Sequence, residues 1–183
     1  MIAMLPGTTI EANLREKNVS DVILKNIFSA GGLVLSQVSQ LTGLEPYTVQ
    51  NWVKRGFLSS PRKKQYSKNQ FCRIVIINML KESLQIDKIT NLLSYINGHL
   101  DDESDDRIGD SELYHFFVNL IVSLGAPTSD RAEIRRMIAA SIAEYDEKME
   151  GTKKRLEKVL EIMLYAYYAS LLRSTAEAAL LEL

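Results

Sequence analysis

The sequence predicts a mostly α-helical fold, and three observations carry that expectation. Apolar residues recur at helical spacing along nearly the whole chain, glycine and proline punctuate the periodic stretches, and no internal period repeats. No convincing sheet is expected beyond a possible short hairpin near residue 60.

Taken in order, residues 18 to 30 place Val22, Ile23, Ile27 and Phe28 on one helical side, and Gly31-Gly32 stops that helix. A short helix follows from Ser36 to Leu41 and ends at Gly43. The next runs from Pro46 to about Lys54, with proline at the first helical position, where its missing N–H costs nothing. After Gly56 comes an irregular stretch through Tyr66. Ser67 and Gln70 then have the capping-box spacing, opening an apolar helix through Phe71, Ile74, Val75, Ile77 and Leu80. Another helix starts near Gln85, carries Ile86, Ile89, Leu92, Leu93 and Ile96, and stops at Gly98. Beyond an acidic stretch, three helices are expected: Ser111 to Leu124, Asp130 to about Glu147, and Thr152 to nearly the end.

The 183 residues are 46% hydrophobic and 25% charged, which suits one extended domain or two small ones with a real core. One cysteine, Cys72, excludes an internal disulfide and a multi-cysteine zinc site. Set in an apolar helix, it reads as packing rather than as a redox sensor. With no secretory signal, the expected compartment is the cytoplasm. The longest nearly uncharged apolar run, Ile162 to Leu172, falls short of the ~18 residues of a membrane helix.

Net charge is −1, but its distribution is uneven. Between Glu45 and Glu82 there is no acidic residue, while Lys54, Arg55, Arg62, Lys63, Lys64, Lys68, Arg73 and Lys81 all fall there. The acids gather later, at Asp101, Asp102, Glu103, Asp105, Asp106, Asp110 and Glu112. Residues 98–110 therefore read as an acidic linker, either a solvated loop or a mask for the basic face.

Two short helices joined by a glycine turn have the geometry of helix-turn-helix DNA binding. Val38, Leu41, Leu44, Val49 and Val53 can form its small core, and Trp52 beside them reads as core too. Tyr47, Thr48, Gln50, Asn51 and Lys54 are then left toward the outer side or leading end of the second helix. Glutamine and asparagine can bind adenine bidentately in the major groove, while lysine and arginine neutralise phosphates.

The run from Leu35 to Pro61 resembles the start of a MerR-family DNA-binding domain. Thr42-Gly43 matches that family's turn, Thr48 its threonine-led recognition helix, and Gly56-Phe57-Leu58 with Pro61 its wing. The similarity continues through Tyr66-Ser67 and Gln85 to Leu93, about a third of the chain. The family usually carries arginine at the place of Gln50 and tyrosines at those of Asn51 and Trp52, and its wing is longer. The layout is similar to a bacterial family of MerR-like proteins of unassigned function. The resemblance implies a winged helix-turn-helix module followed by an all-helical C-terminal region, and a bacterial-type transcriptional regulator that binds double-stranded DNA. The expected contacts are Tyr47, Thr48, Gln50, Asn51, Lys54 and Arg55 from the helix, and Arg62, Lys63, Lys64 and Tyr66 from the wing.

Four regions follow from this reading: a helical extension over 1–34, the DNA-binding module over 35–97, the linker over 98–110, and a helical region over 111–183. The last is expected to form a homodimer, because the apolar belt from Val159 to Leu172 is wider than one neighbouring helix can cover. No strict heptad is evident in that belt, so the slim antiparallel coiled coil typical of MerR dimers is not. An excisionase-like architectural factor and a protein-interaction module without DNA binding remain open alternatives, as does a small-molecule effector. No nucleophile elbow, phosphate loop or zinc motif is present, and His99 and His115 lack ligand-spaced partners. No enzyme activity, cofactor or metal is expected.

Overall fold

The computed structural model describes residues 2–100 and 106–182, and within them the apolar periodicity resolves into eight helices and four very short strands. In chain order these are β1 (Ile2–Met4), β2 (Glu11–Asn13), α1 (Val19–Ile27), β3 (Leu33–Val34), α2 (Leu35–Thr42), α3 (Pro46–Lys54), β4 (Gln65–Tyr66), α4 (Lys68–Leu80), α5 (Ile86–Asn97), α6 (Asp110–Leu124), α7 (Arg131–Ser141) and α8 (Thr152–Leu180). The chain is mostly helical, as its sequence predicts. Among the described residues no helix is long and apolar enough to cross a membrane.

Helix α4 is the spine. It is apolar nearly all round, and such a helix must be buried on every side. Phe71, Cys72, Ile74, Val75, Ile76, Ile77 and Leu80 are fully covered, by α2, α5, α6 and α8 among others. At about 1.5–3 kcal/mol per buried large side chain, this one helix contributes a large share of the hydrophobic stabilisation. Its start is set by the predicted capping box: Ser67 Oγ accepts from Gln70 N–H, and Gln70 Oε1 accepts from Ser67 N–H. Burial pushes the Cys72 thiol far above its ordinary range, which suits a packing role.

The first 34 residues are not simply a helical extension. Strands β1 and β2 pair antiparallel, with Ala3 opposite Ala12, and their connecting loop lies against the end of α2. Helix termini leave carbonyls without partners. Here Thr9 Oγ1 donates to Gln40 O, Thr9 N–H donates to Leu41 O, and Asn78 Nδ2 donates to Thr42 O. These contacts, far apart in sequence, are why a hairpin forms where no alternating pattern announces one. In α1 the inward residues are Val19, Ser20 and Leu24, with Ile23 and Ile27 half-buried; Val22 is on the solvent side, against expectation.

The acidic segment needs a correction at its described end. Asp101, Asp102, Glu103 and Asp105 lie outside the described residues, but Ile108 and Asp110 are buried rather than solvated. Asp110 opens α6 and accepts from Arg73 Nη1 at 3.3 Å, with both side chains almost fully enclosed. Asn97 Nδ2, at the end of α5, donates to the other Asp110 oxygen. A buried guanidinium demands a counter-charge, so this aspartate belongs to the core.

Helix α7 stops at Ser141, short of the expected Glu147. Glu147 instead caps α8, its carboxylate accepting from Gly151 N–H and Lys153 N–H, while Tyr145 folds into the core. The buried side chains form one cluster from Leu5 to Tyr168.

Helix α8 separates two interleaved stripes. Val159, Leu160, Met163, Leu164, Ala166 and Tyr168 are buried, and α4, α5, α6 and α7 all pack on this helix. The belt is therefore covered from within the chain, and its width does not require a second copy. On the opposite side Ile162, Tyr165, Ala169 and Leu172 are exposed, and from Leu171 onward every described residue is. The outward stripe continues through Ala176 and Ala179 at spacings of three and four. It is a regular heptad seam, hidden in the sequence because the body-facing residues fill the positions between.

Candidate nucleic-acid interface

Helices α2 and α3 meet at Gly43, which has φ 70° and caps α2 through its N–H to Ser39 O. A left-handed backbone at that position suits glycine and turns the chain within three residues. Val38 and Val49 are fully buried, Trp52 and Leu44 nearly so, while Leu41 and Val53 pack partly against them. This inner face fixes the outer one. On α3, Tyr47, Gln50, Asn51 and Lys54 are exposed, Thr48 is half-buried, and Arg55 follows the helix on the surface. Arg55 lies over the Phe57 ring, 4.7 Å from its centre, which orients the guanidinium beside the helix end.

From Phe57 to Tyr66 the chain makes a small hairpin held at both ends. At its base Leu58 is buried, Phe57 N–H donates to Trp52 O, and Arg73 Nε donates to Phe57 O. Gln70 Nε2 reaches Ser59 O, Ser59 Oγ and Ser60 O, so the residue that caps α4 also clamps the outgoing arm of the hairpin. On the return, β4 pairs antiparallel with β3, Leu33 opposite Tyr66 and Val34 opposite Gln65. Gly32 lets that pairing close: a Cβ there would meet Tyr66 O at 2.9 Å.

The tip is a tight turn. Arg62 and Gln65 bridge, with Gln65 N–H donating to Arg62 O, and the two residues between them have φ 49° (Lys63) and 62° (Lys64). Two consecutive positive φ values are the mark of a type I′ turn, normally built from asparagine and glycine. The sequence gives no such signal, because lysine is an unusual occupant. Two lysines in strained backbone at the outermost point suggest that their charges serve a purpose there.

The structure sorts the cations of the acid-free segment. Lys54, Arg55, Arg62, Lys63 and Lys64 are exposed around α3 and the hairpin, and none is ion-paired among the described residues. Arg73 is buried with Asp110, and Lys81 pairs with Glu82. Between α3 and the hairpin runs a cleft lined by Leu35, Gln50, Val53, Lys54, Pro61, Lys64 and Tyr66. Tyr66, expected as a contact residue, is 3% exposed and burial raises its hydroxyl's pKa. It backs the cleft and holds the hairpin to the body instead of presenting a side chain outward. Residues 18–117 match a family described as a domain of unknown function, DUF1836. The chain belongs to that family. The matched span in this DUF1836 protein runs from the start of α1 into α6, so it takes in the whole surface just described and the Arg73–Asp110 pair behind it. No curated protein and no solved structure matches the chain.

Among the described residues no three His, Cys, Asp or Glu side chains group as a metal site. His115 has defined partners instead: Nδ1 is 2.9 Å from Ser20 Oγ and Nε2 is 3.0 Å from Asn119 Nδ2. An amide nitrogen can only donate, so Nε2 accepts and the proton sits on Nδ1, directed at Ser20. This neutral imidazole joins α1 to α6.

Proposed function

We propose that this protein binds double-stranded DNA through a winged helix-turn-helix module, and acts as a transcriptional regulator. The observation that supports this best is the coincidence on one face, formed by α3 and the adjoining hairpin, of five cations with no ion pair among the described residues. In the proposal α3 enters the major groove, where Gln50 and Asn51 meet base edges. One sugar–phosphate strand then lies along the cleft, its apolar floor under the sugars and Lys54 and Lys64 beside the phosphates. The hairpin is the wing, and Arg62 and Lys63 extend the charged rim. A protein-interaction module would not need five uncompensated charges on one face, since charged residues are depleted at the core of such interfaces.

The test is binding of genomic fragments followed by titration against salt. With about five phosphates neutralised, log affinity should fall against log salt with a slope of about −4 to −5. Gln50→Ala and Asn51→Ala should each relax sequence preference by about 1–3 kcal/mol. Failure to retain any fragment at low salt, or retention indifferent to salt, would overturn the proposal.

A further inference from the structure

We infer that the groove between α7 and α8 is a binding site for a small organic phosphate, a ligand with a multiply charged phosphate head on a compact apolar body. The inference does not rest on nucleic-acid binding. The groove has a volume of about 520 Å³, within the range of about 300–1,000 Å³ that small-molecule sites occupy. Arg131 and Arg135 stand on its α7 side, Lys154 and Lys158 on its α8 side. Each pair is four residues apart, so each side carries like charges stacked one turn above the other. That spacing destabilises a helix by itself. Here it occurs on both sides of one opening.

These cations differ from their neighbours in what they touch. Elsewhere on α8, Lys153 Nζ donates to Ala143 O, Arg155 Nη1 donates to Tyr95 O, and Arg173 pairs with Glu82. Lys154 and Lys158 are the remaining cations of that helix, and neither has an ion pair among the described residues. Across the groove, Glu161 Oε1 lies 3.1 Å from Arg131 Nε and 3.5 Å from Arg135 Nε. This carboxylate is 16% exposed, and it holds both guanidiniums by Nε alone. Their Nη groups have no partner among the described residues. Glu157 is the groove's other acid, so four cations face two carboxylates.

The donors select the head of the ligand. Two guanidinium edges and two ammonium groups offer more N–H donors than the two oxygens of one carboxylate can accept. Linked phosphates carry enough oxygens and enough charge to meet them all. Arginine's planar fork binds phosphate bidentately, and lysine adds a point charge. The floor selects the body. Ile138 is buried beneath the groove, and the single methyl of Ala139 leaves the opening unfilled. An inorganic anion would leave that apolar floor bare, whereas an apolar or flat group attached to the phosphates covers it.

The experiment is calorimetric titration of the full chain without DNA. The probes are adenosine triphosphate, inorganic triphosphate as the head alone, and citrate as a carboxylate of comparable charge. Adenosine triphosphate should bind most tightly, inorganic triphosphate less so and citrate least. Arg131→Gln with Arg135→Gln should weaken nucleotide binding at least about tenfold, through the loss of bidentate contacts. Lys158→Gln removes no ion pair within the chain and should weaken it several-fold. Ala139→Phe keeps every charge but fills the floor, so it should weaken the nucleotide at least about tenfold and spare inorganic triphosphate. Ala139 and the substituted cations are all exposed, so circular dichroism should be unchanged. Lys54→Gln with Lys64→Gln, on the face of α3 and the hairpin, should leave nucleotide binding as it was. Absence of binding by either phosphate probe overturns the site, as does binding lost with Lys54 and Lys64 but kept without Arg131 and Arg135. Citrate binding as tight as that of triphosphate overturns the phosphate head, and nucleotide binding undiminished by Ala139→Phe overturns the organic body.

Discussion

The lysine pair at the tip of the 57–66 hairpin offers a test in which stability and the proposed binding move in opposite directions. Lys63 and Lys64 hold φ 49° and 62°, where a residue with a Cβ is disfavoured by about 1–2 kcal/mol. Lys63→Asn with Lys64→Gly supplies the residues a type I′ turn prefers, and both side chains replaced are exposed, so no packing is lost. Relief at two positions comes to about 2 kcal/mol or slightly more. Glycine's greater freedom in the unfolded chain returns about 0.5–1 kcal/mol, leaving a net gain of about 1–2 kcal/mol. For a chain of this size, each kcal/mol raises Tm by about 2–4 °C, so calorimetry should read a rise of about 2–8 °C. On DNA, two lost phosphate contacts should weaken all sequences alike and flatten the log–log salt slope by about 1.8. An unchanged or lowered Tm would show that the turn is not strained as argued. A rise in Tm with an unchanged salt slope would leave the turn intact as a conclusion and remove the hairpin from the proposed DNA interface.

Two further predictions concern the scaffold. Arg73→Met or Asp110→Leu alone should each cost about 3–5 kcal/mol in denaturant unfolding, because each strands a buried charge. The double variant should recover most of that; a simple sum of the two losses would show that the residues act independently. Burial holds His115 below the usual histidine pKa, outweighing the nearby Asp21, which acts in the opposite sense. The unfolded chain then takes up a proton near pH 6.5 that the folded one refuses. Stability from this group is intact above that value and declines as pH falls through it toward the folded pKa. His115→Gln should flatten the stability profile over that interval, and an unchanged profile would place the titration elsewhere.

Much of the candidate interface is legible in the sequence because its signals are local. Pro46 at a helix start, the Ser67–Gln70 capping box, the glycine turn at residue 43 and the acid-free run each lie within a few residues or along one segment. Backbone sterics and short-range hydrogen bonds make such patterns informative wherever they occur. The buried and exposed faces of α2 and α3 follow from the same periodicity.

Only the tertiary structure decided what depends on distant partners. Arg73 reads as one more surface cation until Asp110, 37 positions away, is seen buried against it. The N-terminal loop is placed by α4 and α6: Asn78 reaches Gly7 O across 71 positions, and Tyr114 reaches Pro6 O across 108. Neither contact leaves a trace in local composition. The Lys63–Lys64 turn is likewise imposed by the pairing of β3 with β4 and not by turn-forming residues. In α8 the sequence holds both stripes superimposed, and burial by four other helices is what separates the outward heptad from the core-facing residues. Apolar pattern states that a surface must be covered; which surface remains uncovered is settled only when every other helix has taken its place.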